Sequence, residues 1–353
     1  MGFSSIDWYF AGIENFRLIA IRSVAVKLVS LIALYVFIRT NNDYNIYLFI
    51  SIFAILGNNI INLWSVRKFI RLSPQGIRRH FRPLMYTFGT TVASSMYTML
   101  DTVLIGLLSD EKSVGLYSAS IRLTKISIPV IISAATVLMP RISKLFSVGD
   151  FDALKPLLNK SFNFIIILGV PICVGFILLA PELIFIFSSP EFAEAATTMR
   201  ILSPLTLIIG LGYFWAFQVL IPSGGDRQLF ICVMIGMIFN LSLNFILIPP
   251  YKQDGGAIAN VISELAVTLC YMYFCFKIIP FRISHRPVLL NLAATIPSVA
   301  IAFYTRTLGL PVYTFLAINV LSFIAIYFAI QILFLNRQTL KDLVGDISKK
   351  GAS

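Results

Sequence analysis

Apolar residues gather into long runs separated by short basic stretches. Ten of these runs approach bilayer-spanning length: roughly 21–38, 46–64, 83–108, 114–138, 159–180, 200–221, 228–249, 255–276, 287–305 and 311–334. About 20 apolar residues carry a helix across the hydrocarbon core, so the pattern predicts an all-α, polytopic membrane helix bundle of about ten transmembrane helices. Several runs also carry polar side chains at helical spacing. Thr87, Thr91, Ser94, Thr98 and Asp101 form one stripe on the third run, and Ser51, Asn58, Asn62 and Ser65 form another on the second. Asn240 and Asn244 mark the seventh run, and Asn260, Glu264 and Thr268 the eighth. Polar side chains join helices in any bundle. Four stripes together with intramembrane charge predict a central hydrated cavity. Pro129, Pro171, Pro204 and Pro297 fall inside runs and predict kinks, because each removes a backbone donor.

Composition agrees with this pattern: 58% of the 353 residues are hydrophobic and 12% are charged, against about 25% charged in a soluble domain. The net charge of +12 would suit nucleic acid, but its distribution does not, because most of the cations sit in short loops. Twenty of the 28 Lys and Arg residues lie before the first run or in every second loop after it. They are Arg17, Arg22, Arg67, Lys68, Arg71, Arg78, Arg79, Arg82, Arg141, Lys144, Lys155, Lys160, Arg227, Lys277, Arg282, Arg286, Arg337, Lys341, Lys349 and Lys350. The other loops hold five: Arg39, Lys112, Arg200, Lys252 and Arg306. The positive-inside rule therefore predicts that both termini are cytoplasmic.

The N-terminal GFSSIDWYFAGIENFR is mixed in character and has no signal-peptide pattern. The longest exterior loop is expected at 181–199, and basic cytoplasmic connectors at 65–82 and 141–158. No loop is long enough for a soluble domain, so function must reside in the bundle or at its interfaces. Cys173, Cys232, Cys270 and Cys275 lack metal-ligand spacing and read as small core residues. His80 and His285 read as surface residues. Neither a metal nor a cofactor is expected.

Arg122 and Lys125 stand one turn apart inside the fourth run. A cation near the bilayer centre costs about 2.5–3.5 kcal/mol on insertion scales, and it normally faces protein or a wet cavity. Asp101 lies ~10 Å, and Arg122 ~12 Å, below the same expected surface, which predicts an Asp101–Arg122 ion pair. Lys125 lies ~16 Å deep with no second acid nearby in sequence. Two cations and one acid keep a site positive, suited to phosphate or pyrophosphate. Glu264 and Asn240 also match in depth, and a membrane-embedded carboxylate can serve as a proton-coupling site. A Glu264–Asn240 hydrogen bond is the structural alternative. Lys27 lies near the cytoplasmic end of the first run, where it can snorkel to the surface; it is retained as a third substrate-binding candidate.

DWYFAGIENFRLIAIRSVAVKL at 7–28 and the NDY of 42–44 resemble the O-antigen repeat-unit flippases. These form part of the polysaccharide transporter branch of the multidrug/oligosaccharidyl-lipid/polysaccharide exporter superfamily. FGTTVASSMYTMLDTVLIG at 88–106, VGLYSASIRL at 114–123 and VLMPRISKL at 137–145 resemble the start of that family's second lobe. The resemblance implies two six-helix lobes around a cavity, two further helices, and flipping of undecaprenyl-pyrophosphate-linked oligosaccharide across the bacterial inner membrane. It makes Arg122 and Lys125 candidates for the pyrophosphate-sugar headgroup. It also brings in polysaccharide polymerase and chain-length machinery as partners. Aligned this way, residues 1–82 are the remainder of the first lobe, 83–280 the second lobe, and 281–353 the additional pair and tail. About four amino-terminal helices are absent, so a fragment is expected.

Two other functions are carried forward. A drug or cation exporter of the same superfamily would use acids such as Asp101 and Glu264 on cationic substrates. A membrane-embedded polysaccharide polymerase or glycosyltransferase would need acids, bases or a metal at a water-exposed face, which the short exterior loops do not supply.

Overall fold

The computed structural model describes residues 10, 12, 16–38, 46–53, 77–279 and 286–335. Among these, regular structure is helical throughout, with no strand. The chain divides into two compact units, residues 1–80 and 81–353. In the first, α1 spans Phe16–Phe37, and residues 46–53 are helical. Asn58, Asn62, Ser65, most of the basic connector at 65–82, His285 and the tail cations lie outside the described residues.

The second unit carries the bundle. Helix α2 (Ile77–Leu108) leads to α3 (Glu111–Lys125) and α4 (Ile128–Val148). Helix α5 (Phe151–Phe187) is followed by a short 3₁₀ turn at Pro190–Phe192. Helices α6 (Ala195–Leu202) and α7 (Leu205–Tyr213) then run into a π-helical turn at Phe214–Leu220. Helix α8 covers Asp226–Ile278, and α9 (Arg286–Thr307) and α10 (Val312–Ile330) complete the unit.

Seven helices among the described residues are long and apolar enough to cross a membrane, or eight when the bent pair 111–133 and 135–148 counts as one span. The 53 residues of α8 would rise ~80 Å as one rod, far more than a bilayer needs. The chain instead breaks at Lys252, whose φ of 50° and ψ of −126° are non-helical. Two expected runs, 228–249 and 255–276, thus become two limbs of a hairpin. Small residues let the limbs approach: a Cβ on Gly255 would lie 2.1 Å from the Leu247 carbonyl oxygen, and one on Gly236 would lie 2.0 Å from the Val267 side chain.

The expected connectors are shorter than their polarity implies. Helix α4 continues to Val148 and α5 starts at Phe151, so most of 141–158 is helical, with Asp150 capping α5 through the Ala153 N–H at 3.0 Å. Likewise α5 continues through Pro181 to Phe187, leaving a connection of about Ser188–Glu194 in place of 181–199. Hydropathy marks the part of a helix suited to lipid; the backbone bonds continue beyond it. Of the four proline kinks expected, Pro129 and Pro204 stand at helix breaks, whereas Pro171 and Pro297 lie within continuing helices.

The main core joins α4, α5, the π-helical turn and both limbs of α8, with Ile131, Ile142, Leu158, Ile165, Phe214 and Cys232 fully or almost fully buried. Helices α9 and α10 dock on α5. The Tyr327 hydroxyl lies 2.8 Å from the Ile167 carbonyl oxygen and 2.6 Å from Asn291 Oδ1.

Adding a methyl at the tightest point of the hairpin should force its limbs apart. Gly255→Ala is expected to lower stability by about 1–3 kcal/mol, read as a lower thermal unfolding temperature in detergent. An unchanged midpoint would show that the limbs can separate without cost.

Candidate functional site

Asp101 lies in α2 and is 0% exposed. A carboxylate with no partner in such a place would be strongly destabilising. Four neutral groups from α3 and the two limbs of α8 supply the partners. Oδ1 accepts from Asn240 Nδ2 at 3.0 Å and Asn244 Nδ2 at 2.8 Å. Oδ2 accepts from the Tyr117 hydroxyl at 2.9 Å and from Asn260 Nδ2. Asn244 also donates to Asn240 Oδ1 at 3.0 Å. All four partners are buried, and Asn244 Oδ1 is left without a hydrogen bond. The tight hairpin is what allows Asn240 and Asn244, one turn apart on the first limb, to converge with Asn260 on the second.

The expected Asp101–Arg122 ion pair is therefore corrected. Arg122 follows Tyr117 by five residues, about 140° around the helix, so while Tyr117 turns in to Asp101, Arg122 turns away and is exposed. Lys125 is half-buried. Both occupy the last turn of α3, because the helix breaks at Ile126–Ser127 ahead of Pro129. Pro129 has no N–H to offer the Lys125 carbonyl, and Ser127 Oγ instead bonds the Thr124 carbonyl at 2.9 Å. Cations suit a helix C-terminus, but that dipole contributes about 0.3–1 kcal/mol, less than the ~2.5–3.5 kcal/mol cost of a cation in mid-membrane. The helix end alone would not offset two cations placed that deep.

Below the pair, the exposed positions of α4 continue as Ser133, Thr136, Arg141 and Lys144. On α2, Thr87 and Thr91 are exposed, Ser94 is half-buried and Asp101 is enclosed, so the sequence stripe passes from surface to core. Glu264 is half-buried, one turn beyond Asn260. The Asn240 carboxamide engages Asp101 and Asn244. Lys27 is exposed on α1, in the first unit. Sequence reasoning missed Tyr117 as a partner of Asp101. Counting residues back from the α2–α3 loop places both at similar depth and could have found it.

One end of the bundle is laced by ion pairs. Lys252 Nζ lies 2.9 Å from Asp110 Oδ2, Lys112 Nζ 2.8 Å from Glu194 Oε1, and an Arg306 guanidinium nitrogen 2.7 Å from Glu182 Oε1. Thr198 donates to Asp254 Oδ1 at 2.6 Å, and Arg200 Nε donates to the Ile177 carbonyl at 3.2 Å. Asp110 also caps α3, its Oδ1 accepting from the Ser113 N–H and hydroxyl, each at 2.8 Å. Among the described residues, no group of three or more His, Cys, Asp or Glu side chains is placed to hold a metal. The cysteines are free; Cys232 and Cys275 are buried, and Cys173 and Cys270 half-buried.

Residues 1–146 match the family described as polysaccharide biosynthesis protein, and residues 87–246 match the MatE family. A putative O-antigen transporter of Escherichia coli K12 is 24% identical over 274 residues, which is 76% of this chain and 65% of the relative. A probable low-salt glycan biosynthesis flippase of Haloferax volcanii is 21% identical over 248 residues, 67% of this chain and 51% of the relative. The chain thus spans less than two thirds of the length of these relatives. A solved structure of the lipid II flippase MurJ in an inward closed conformation has the same fold, with a TM-score of 0.66 at 18% identity. The match covers 92% of this chain and 68% of that one.

The capping pair gives a pH dependence. The hydrogen bond from Lys252, and then those from Ser113, hold the Asp110 carboxyl at about 2, below the ordinary 3.8. The folded chain therefore resists a proton that the unfolded chain accepts. This contribution is fully present above about pH 4, fades as pH falls, and is gone below about pH 2. The difference in unfolding temperature between the wild type and Lys252→Gln should shrink over that window. A difference that is constant with pH would separate Lys252 from Asp110.

Proposed function

The chain belongs to the multidrug/oligosaccharidyl-lipid/polysaccharide exporter superfamily, and from that premise we propose that it moves lipid-linked oligosaccharide from one membrane leaflet to the other. The observation that carries this reading is the placement of Arg122 and Lys125. They sit at a helix break inside a span, turned away from the buried acid that could have neutralised them. A pyrophosphate is the anion that best matches two adjacent cations, one of them a planar guanidinium. The substrate proposed is undecaprenyl-pyrophosphate-linked oligosaccharide, an O-antigen or capsule repeat unit. Polysaccharide polymerase and chain-length machinery would act on it after transfer.

The membrane proposed is the bacterial inner membrane, with both termini cytoplasmic. The loops at the Asp110 end then face outward, and the cations there are engaged by acids and carbonyls. Residues 1–82 are assigned as the remainder of a first lobe, 83–280 as a second lobe and 281–353 as an additional pair and tail. Transfer proceeds by alternating access: the cations engage the headgroup from the cytoplasmic side, the lobes rock, and the polyprenyl tail stays in lipid. Lys27 is kept as a further headgroup contact from the first lobe. The exporter reading for organic cations is weaker, because Asp101 is enclosed and offers no open acid to a substrate.

Asp101 and Asn240, with Glu264, are instead proposed as the coupling site. Uptake of a proton or a small cation there would reorder the amides of both α8 limbs and the Tyr117 phenol of α3. In a reconstituted flipping assay, Asp101→Asn should remove the dependence of rate on pH or on sodium. Retention of the full wild-type dependence would exclude Asp101 from coupling.

Arg122→Ala combined with Lys125→Ala should weaken headgroup binding about ten- to a thousandfold, since a charge-assisted hydrogen bond contributes about 1.5–3 kcal/mol. In cells whose surface polysaccharide depends on this protein, that polysaccharide should fall while the amount of membrane-inserted protein holds. Unchanged export would remove both residues from the mechanism.

A further inference from the structure

The bent pair α3 and α4 carries a second feature beyond the cations. Thr136 follows Lys125 by eleven residues, about three turns and at most ~16 Å along the chain's helical path. Ile126 (φ −62°, ψ −25°) and Ser127 (φ −82°, ψ −21°) keep right-handed helical angles, and the pair then bends by 43° between Ser133 and Ala135, just ahead of Thr136. Thr136 is exposed, and its Oγ1 lies 3.2 Å from the Tyr213 hydroxyl. The Tyr213 ring in turn stacks on Phe217, with centroids 4.6 Å apart and planes at 18°.

The π-helical turn sets this pair apart from its neighbours. Phe214, Trp215, Ala216, Gln218, Val219 and Leu220 are all buried, whereas Phe217 is 38% exposed and Tyr213 half-buried. Phe214 and Trp215 turn inward; Tyr213 and Phe217 do not. Here they lie at the surface, edged by two hydroxyls.

We propose that Tyr213, Phe217 and Thr136 form a sugar-binding platform for the carbohydrate of the lipid-linked substrate. A pyranose ring has an apolar C–H face and a rim of hydroxyls. The exposed aromatic surface takes the face, and the Tyr213 and Thr136 hydroxyl oxygens accept from the rim, since Thr136 donates to the Ile132 carbonyl at 3.0 Å and Tyr213 donates to Thr136. The separation from Lys125 fits a headgroup whose pyrophosphate rests on the cations while a sugar further along the chain reaches the platform. Bare pyrophosphate cannot bridge it. The inference rests on the lipid-linked oligosaccharide reading and adds to it a contact that selects for the glycan.

The test uses the full chain in lipid nanodiscs with two probes, undecaprenyl pyrophosphate and the same lipid bearing a hexose tetrasaccharide. Phe217→Ala and Tyr213→Ala should each weaken binding of the glycosylated probe about three- to tenfold. Binding of the bare probe should stay unchanged, and Phe217→Trp should retain wild-type affinity for both. Loss of affinity for both probes alike, or for neither, overturns the platform and leaves the pair as a lipid-facing or packing feature. If wild-type protein binds neither probe, the lipid-linked oligosaccharide reading fails instead. Thermal unfolding of each variant separates lost binding from lost fold.

Discussion

The bundle depends on satisfying one carboxylate. Asp101 is fully enclosed, and in that setting an unpaired acid would cost more than most single interactions contribute. Its two oxygens are met by a phenol and three carboxamides drawn from α3 and both limbs of α8. The arrangement constrains a large part of the chain. Helices α2 and α3 must be antiparallel neighbours, the α8 hairpin must close tightly enough for Asn240, Asn244 and Asn260 to converge, and glycines must line that closure. The Lys252 backbone, with its positive φ, and the ion pair from Lys252 to Asp110 stand at the turn that makes the hairpin possible.

Neutral donors also leave the cations unspent. Had Arg122 paired with Asp101, the site would hold one cation; with Asp101 satisfied by amides, both Arg122 and Lys125 face outward from the packed core at the break ahead of Pro129. The energies favour a functional account, since the helix dipole returns only a fraction of what a mid-membrane cation costs. At the Asp110 end, Lys112, Lys252 and Arg306 are paired with acids, and Arg200 bonds a backbone carbonyl. Cations are thus compensated at the Asp110 end, while Arg122 stays exposed at the break ahead of Pro129.

Helix positions were readable in the chain because lipid suppresses alternatives: a backbone without water must bond to itself, and long apolar runs can do so only as helices. The polar stripe on α2 was readable for the same reason, as was the place of Arg122 and Lys125 inside an apolar run. Depth alone, however, wrongly matched Asp101 with Arg122. It constrains distance along the membrane normal but not rotation about the helix axis, and the five residues from Tyr117 to Arg122 turn the arginine to another face. Helix ends were misjudged at 141–158 and 181–199, since polarity marks where lipid stops and not where hydrogen bonding does.

The sequence by itself determined the class of the protein, the succession of its apolar helices, the asymmetry of its loop charges and the presence of cations and an acid within apolar runs, because each follows from local composition and the demands of a hydrocarbon solvent. Only the tertiary structure decided which of these groups meet. Asn240 and Asn260 reach one carboxylate from positions 139 and 159 residues away, and the Tyr213 hydroxyl bonds that of Thr136 from 77 residues away. Such meetings depend on the rotation and closeness of packed helices. Those are set by small residues and a single backbone break, and no hydropathy pattern records them.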